Sequence, residues 1–228
     1  MTEVDRGLHL LHLEFGQAYL WRDEDAVTLV DTGIATSGEE IAEALGRLGL
    51  RKDSVRQVVL THYHEDHAGG AASVAAWGEV TVMAHRREAP VIRGDVPAPP
   101  PNFTDEEREL HRSLGAHLLP PAPPCRVDRE LEDGDVIGFG GGARVIATPG
   151  HTDGSIALYV ESSGILFTGD TVAHVNGMVM PGVFNIDRDE TFRSFRKLAE
   201  IDARIACVGH GEPVLDASTA LRKVAASL

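Results

Sequence analysis

Several things are scarce in this chain, and each scarcity removes a class of reading. Only two cysteines, Cys125 and Cys207, occur in 228 residues, and no Cys-x-x-Cys pair is present. A disulfide framework is not expected, and a reducing cytoplasm fits. Positive charge is also short: 21 Lys and Arg stand against 35 Asp and Glu, for a formal net charge of −14, with no Lys/Arg run. Such a surface repels phosphate backbones, so neither nucleic acid nor an anionic membrane is an expected partner. No stretch approaches the roughly 18 apolar residues of a membrane span. Met1–Arg6 lacks a basic segment leading into an apolar one, so no signal peptide is expected. What remains is ordinary for a soluble globular protein: 43% hydrophobic and 25% charged residues. At this length a full core can be buried, and a single domain over 1–228 is expected.

The chain is ordered around short apolar segments that end in polar turns. Leu8 to Phe15, Ala18 to Arg22 and Ala26 to Val30 are expected as strands, joined at Gly16–Gln17 and Asp23–Asp25. Glu39 to Leu48 has helical spacing, with Ile41, Ala44, Leu45 and Leu48 on one face, Ser37 as N-cap and Gly49 as stop. A strand Val55–Leu60, a helix Ala71–Ala76 and a strand Val80–Ala84 follow. From about 85 to 129 the composition changes to nine prolines around one charged helix, Thr104 to Leu114. This insertion is expected to pack over the core as a surface linker or, in preference, as a lid over the substrate pocket, with a homodimer contact as a further option. Strands then resume at Leu131–Val136, Arg144–Ala147, Ile156–Val160, Ile165–Phe167 and Ile205–Val208. Helices are expected at Asp189–Ile201 and Asp216–Ser227. Gly138–Gly142 suits a hairpin turn rather than a phosphate loop, because no helix start or Gly-Lys-Ser/Thr follows.

Four of these segments end at a His or Asp on a glycine-bearing turn. The first, Thr61–Gly70, packs His62, His64, Asp66 and His67 into six residues, and His151, Asp170 and His210 end later segments. Imidazole and carboxylate together, without thiolate, suit zinc, and also iron or manganese. A loop can point alternate side chains at two places, so His62 and His64 can serve one ion while Asp66 and His67 serve another. No Gly-x-Ser-x-Gly elbow or Cys–His arrangement competes as nucleophile.

These residues carry a family resemblance. His62-x-His64-x-Asp66-His67, His151 in Thr-Pro-Gly-His-Thr, Asp170 in Thr-Gly-Asp-Thr, His210 in Gly-His-Gly and the earlier Asp31–Thr32–Gly33 resemble, in order, the motifs of the metallo-β-lactamase superfamily. The resemblance implies an α/β fold, a four-layer αββα sandwich of two mixed sheets flanked by helices. It places His62, His64 and His151 on one divalent ion and Asp66, His67 and His210 on a second. Asp170 would bridge both, Asp66 would move a proton, and Asp31 would order the ligand loop. Two ions sharing a water lower its pKa, so that hydroxide is present near neutrality.

Within that family several activities are disfavoured. Asp170 stands where a thiolate-using β-lactamase would have cysteine, and Ala173 where lactonases often carry tyrosine. Only one helix follows His210, whereas glyoxalase II enzymes usually add a helical substrate domain. The remaining expectation is a metal-dependent hydrolase of a small ester, thioester, lactone or amide. The alternative is a persulfide dioxygenase-like oxidoreductase holding one iron. Tyr63, His174 and Phe184 are candidate substrate contacts.

Overall fold

The computed structural model describes residues 1–24 and 26–228, so the turn expected at Asp23–Asp25 lies partly outside the described residues. The described residues form an α/β architecture of two mixed sheets with helices, divided into two compact units. The first unit comprises 1–97 and 120–131, the second 98–119 and 132–228. The proline-rich stretch is therefore shared: its middle belongs to the second unit and its ends to the first.

In the first unit β1 (Thr2–Asp5), β2 (Leu8–His12), β3 (Gln17–Asp23) and β4 (Ala26–Val30) form an antiparallel meander. β5 (Val55–Leu60), β6 (Thr81–His85) and β7 (Arg129–Leu131) extend it in parallel. The seven strands lie side by side in sequence order. β4 is mostly apolar and β5 is apolar and buried over Val58–Leu60, as parallel strands covered on both faces require. α1 (Gly38–Arg47) follows β4, and α2 (Glu65–Ala68) and α3 (Ala71–Ala75) follow β5. α4 (Ala89–Ile92) follows β6. The spacing of Ile41, Ala44 and Leu45 puts all three in the core with Leu29, Val58 and Val74. Full burial of Ile41 and Leu45 is worth about 1.5–3 kcal/mol each. Ser37 sits at the N-cap of α1, but its side chain makes no capping bond. β1 was not expected from the sequence; its partner β2 supplies the pairing that its polar residues do not advertise.

The second unit opens with α5 (Asp105–Ser113), which the Thr104 N-cap starts as expected. The Thr104 hydroxyl accepts from the Glu107 N–H at 3.1 Å, and the Glu107 carboxylate accepts from the Thr104 N–H at 2.8 Å. This reciprocal box satisfies two otherwise unpaired donors. The unit's sheet runs β12 (Met178–Pro181), β11 (Ile165–Val175), β10 (Ile156–Val160), β9 (Ala143–Ala147) and β8 (Val136–Ile137), with β13 (Ile205–Gly211) parallel to β11. α6 (Arg188–Ala199) and α7 (Ala217–Ala225) bury Phe195, Leu198 and Leu221 against Leu166 and Val208. β11 is much longer than the apolar run Ile165–Phe167 that marks it in sequence. Thr168–Thr171 looks like a turn by composition, yet β12 and β13 pair with the strand beyond it. Asp170 and His174 consequently stand within a strand. Among the described residues no helix is long and apolar enough to cross a membrane.

Candidate metal centre

In the first unit, the loop after β5 is held by the turn after β4. Asp31, buried and with φ +62°, is the knot. Its Oδ1 accepts from the Thr61 N–H at 2.7 Å, and its Oδ2 accepts from the Thr61 hydroxyl at 2.8 Å and from His67 Nδ1 at 2.8 Å. The backbones are stitched together as well. The Thr32 N–H and hydroxyl donate to the His67 carbonyl at 2.7 and 2.8 Å, and the Gly70 N–H donates to Gly33. A Cβ on Gly70 would lie 2.3 Å from the Thr32 oxygen, so only glycine permits this approach.

Those bonds also decide where the imidazole protons sit. His67 Nδ1 faces the Asp31 carboxylate and must donate, which in the neutral imidazole leaves a lone pair on Nε2. The single proton of Thr61 goes to Asp31. His62 Nδ1, 3.0 Å from the same hydroxyl oxygen, therefore donates to it, again leaving Nε2 as acceptor. His62 Nε2 lies 3.0 Å from His64 Nδ1. Two nitrogens on one tetrahedral zinc, at roughly 2.0–2.1 Å from the ion, stand about 3.4 Å apart. The pair is thus close to a chelating arrangement, and the donor set suits a divalent ion. Asp66 Oδ2 is 3.8 Å from His67 Nε2, beside the lone pair reserved there.

Two residues in this unit escaped the sequence reading. Thr61 acts through its hydroxyl, as described. Glu88, fully buried at the N-cap of α4, accepts from the Tyr63 N–H at 2.8 Å and so braces the backbone between His62 and His64. A buried carboxylate bonded to a backbone N–H leaves no spacing or residue-type pattern to detect. Tyr63 itself is buried, its ring edge-on to His64 at 5.0 Å.

The second unit gathers His151, Asp170 and His210. Asp170 Oδ2 is 3.5 Å from His151 Nε2 and 3.3 Å from His210 Nε2. One carboxylate oxygen thus lies between two imidazole nitrogens, a donor set that suits a divalent ion. His151 Nδ1 faces Asn185 Oδ1 at 3.3 Å, and Asn185 Nδ2 donates to the Gly182 carbonyl at 2.8 Å. The amide is therefore oriented with its oxygen toward the imidazole, so that His151 also keeps its lone pair on Nε2. Asn185 was not singled out in the sequence, because no motif surrounds it.

Two of the candidate substrate contacts fall in this unit. His174 Nδ1 donates to the Glu212 carbonyl at 2.7 Å, and Phe184 packs at 5.3 Å from Phe103 and 5.2 Å from His111.

β13 comes close enough to Asp170 only because residue 209 is glycine. An added Cβ would lie 1.8 Å from Asp170 Oδ1, far inside van der Waals contact. Gly209→Ala must push the carboxylate off its position between the two imidazoles. We expect zinc affinity to fall about 10–100-fold, as when the support of a ligand is lost. Competition with a chromogenic chelator measures it, and unchanged affinity would refute this role for Gly209.

A model of the metallo-beta-lactamase superfamily matches residues 13–210 of the chain. The probable metallo-hydrolase YflN of Bacillus subtilis (strain 168) is 28% identical over 234 residues, covering 93% of this chain and 86% of the relative. A hydroxyacylglutathione hydrolase of Rhodobacter capsulatus is 31% identical over 156 residues, which is 68% of this chain but 47% of the relative. Among solved structures, a metallo-beta-lactamase family protein from Thermus thermophilus superimposes with a TM-score of 0.73 at 27% identity, covering 98% of this chain and 80% of that one.

Proposed function

Because the chain belongs to the metallo-beta-lactamase superfamily of metal-dependent hydrolases, we propose that it is a dinuclear metallohydrolase of a small ester, thioester, lactone or amide. The proposed ligands are His62, His64 and His151 for one ion and Asp66, His67 and His210 for the other, with Asp170 shared. The observation that carries this reading is the proton pattern. His62, His67 and His151 each have Nδ1 committed to an oxygen, which reserves Nε2 as a lone-pair donor. Imidazoles with a merely structural role need no such common arrangement.

Bound divalent ions, zinc first by the donor set, would supply an ionised water at neutral pH and a Lewis acid for the scissile group. The chain's own residues do the rest. Asp66 offers a carboxylate beside the His67 lone pair to carry the proton from water to the leaving group. Asp31, Thr61 and Glu88 keep the loop in one conformation, so no reorganisation is needed at the moment of reaction.

Thioesters are placed first among the substrates. Several relatives are named hydroxyacylglutathione hydrolases, and an acylglutathione is a thioester. The test is a panel of thioesters, lactones, β-lactams and phosphodiesters with metal-reconstituted protein. The reading expects chelator-sensitive hydrolysis of a carbonyl substrate. Hydrolysis that survives complete metal removal would overturn it, and dioxygen uptake on a persulfide by a one-iron form would replace it with the oxygenase reading.

A further inference from the structure

α5 and the segment before it hold the loop between β12 and α6 from several sides. Glu107 is buried, and its Oε2 accepts from Arg188 Nη2 at 2.5 Å as well as from the Thr104 N–H at 2.8 Å. Its Oε1 accepts from the Phe184 N–H at 3.4 Å. Burial opposes the charge of this carboxylate. The Thr104 N–H, the Arg188 guanidinium and the Phe184 N–H outweigh it and hold Glu107 below the usual carboxylate range. The Asn102 N–H donates to the Asn185 carbonyl at 3.0 Å. The Phe103 ring lies 5.3 Å from Phe184 and 4.9 Å from His111.

The same loop grips His151. The Asn185 side-chain oxygen faces His151 Nδ1, the Ile186 N–H donates to the His151 carbonyl at 3.2 Å, and the Asp187 N–H donates to the Gly150 carbonyl at 2.9 Å. Phe184, beside Asn185, has φ +63°, a backbone state costly for a bulky residue. A loop left to itself would relax out of it. The Glu107 bond to the Phe184 N–H and the packing of Phe103 and His111 hold the residue there.

We propose that Asn185, clamped by Glu107 of α5, is the positioning residue that fixes His151 in the tautomer with its lone pair on Nε2, so that the middle of the proline-rich insertion sets metal affinity. The proposal rests on the dinuclear reading for its consequence, since His151 matters in this way only as a ligand. The insertion then has a task that neither a lid nor a dimer contact would give it. Asn185 touches only the outer nitrogen of the imidazole, and Glu107 acts through the loop, so neither is a catalytic residue.

The test uses the full chain with Asn185→Leu, which keeps the branched shape and removes both the acceptor for His151 and the donor to Gly182. Glu107→Gln keeps the shape of the clamp and removes its charge. Glu109→Gln, on the exposed face of the same helix, is the control. Nitrogen-15 NMR of metal-free protein reads the His151 tautomer, and chelator competition reads zinc affinity.

We expect wild type and Glu109→Gln to show a protonated Nδ1, and Asn185→Leu to show a mixture. Zinc affinity should fall about 10–100-fold in Asn185→Leu, and in the same direction by a smaller factor in Glu107→Gln. If Asn185→Leu does not fold, Glu107→Gln alone decides through both readouts. An unchanged tautomer, or wild-type zinc affinity in a folded variant of either residue, would overturn the proposal. The tautomer is read without metal, so failure of the dinuclear reading shows separately, as wild-type protein that binds no pair of ions.

Discussion

Asp170→Ala is expected to abolish tight metal binding and hydrolysis together. The Asp170 carboxylate faces two imidazole nitrogens in the second unit, Nε2 of His151 and Nε2 of His210. Removing it deletes the anion that both neighbours share and leaves two neutral donors to hold cationic charge. Loss of a residue that only supports a ligand costs about 10–100-fold in affinity or activity. Loss of a shared ligand should exceed that range, so we expect a decrease of more than ~100-fold in both zinc affinity and kcat/KM. The carboxylate is not part of the hydrophobic core, and the fold should survive, which circular dichroism checks. Asp170→Asn, which keeps the shape and one oxygen but loses the charge, should fall between the two. A folded Asp170→Ala protein with near wild-type turnover would mean that Asp170 is not a ligand.

Asp31→Ala should be the most damaging change to the first unit. It orphans three buried donors at once: the Thr61 N–H, the Thr61 hydroxyl and His67 Nδ1. Each buried unpaired group costs about 1–3 kcal/mol, so a loss of at least about 3 kcal/mol is expected on urea unfolding of metal-free protein. The backbone adds to this, because φ +62° suits Asp or Asn far better than Ala. Asp31→Asn separates the two effects. It keeps the backbone preference and one acceptor oxygen, and should lose about half as much stability. It also releases His67 from its fixed proton pattern, so zinc affinity should fall even where stability is largely kept. A loss below about 1 kcal/mol for Asp31→Ala would show that the knot at Asp31 does not hold the loop.

The sequence marked the candidate site residues more plainly than the residues that hold them in place. His62, His64, Asp66 and His67 stand out because neither a solvated loop nor a packed core has use for four metal-binding side chains in six residues. His151, Asp170 and His210 could be read because each follows an apolar segment and precedes or accompanies glycine. The helices Gly38–Arg47 and Asp105–Ser113 were legible from apolar spacing and from Thr104 as an N-cap. The middle of β11 was not, because Thr168–Thr171 is polar and glycine-bearing, and only the pairing with β12 and β13 carries the strand through it. Glu88, Glu107 and Asn185 were invisible for a shared reason. Each acts through one or two hydrogen bonds to a distant part of its own unit, and such bonds impose no periodicity on the chain. The steric role of Gly209 was equally hidden, since only the approach of the Asp170 carboxylate makes it necessary.

The proposed site stands or falls on how many ions the protein holds. The direct measurement is metal content per chain, by inductively coupled plasma mass spectrometry, on zinc-reconstituted wild type and Asp170→Ala, each assayed for hydrolysis in parallel. The account predicts two ions per wild-type chain, loss of both metal and hydrolysis in the variant, and no turnover without metal. A wild-type chain that hydrolyses its substrate with no bound metal, or an Asp170→Ala chain that keeps two ions and full activity, would contradict it.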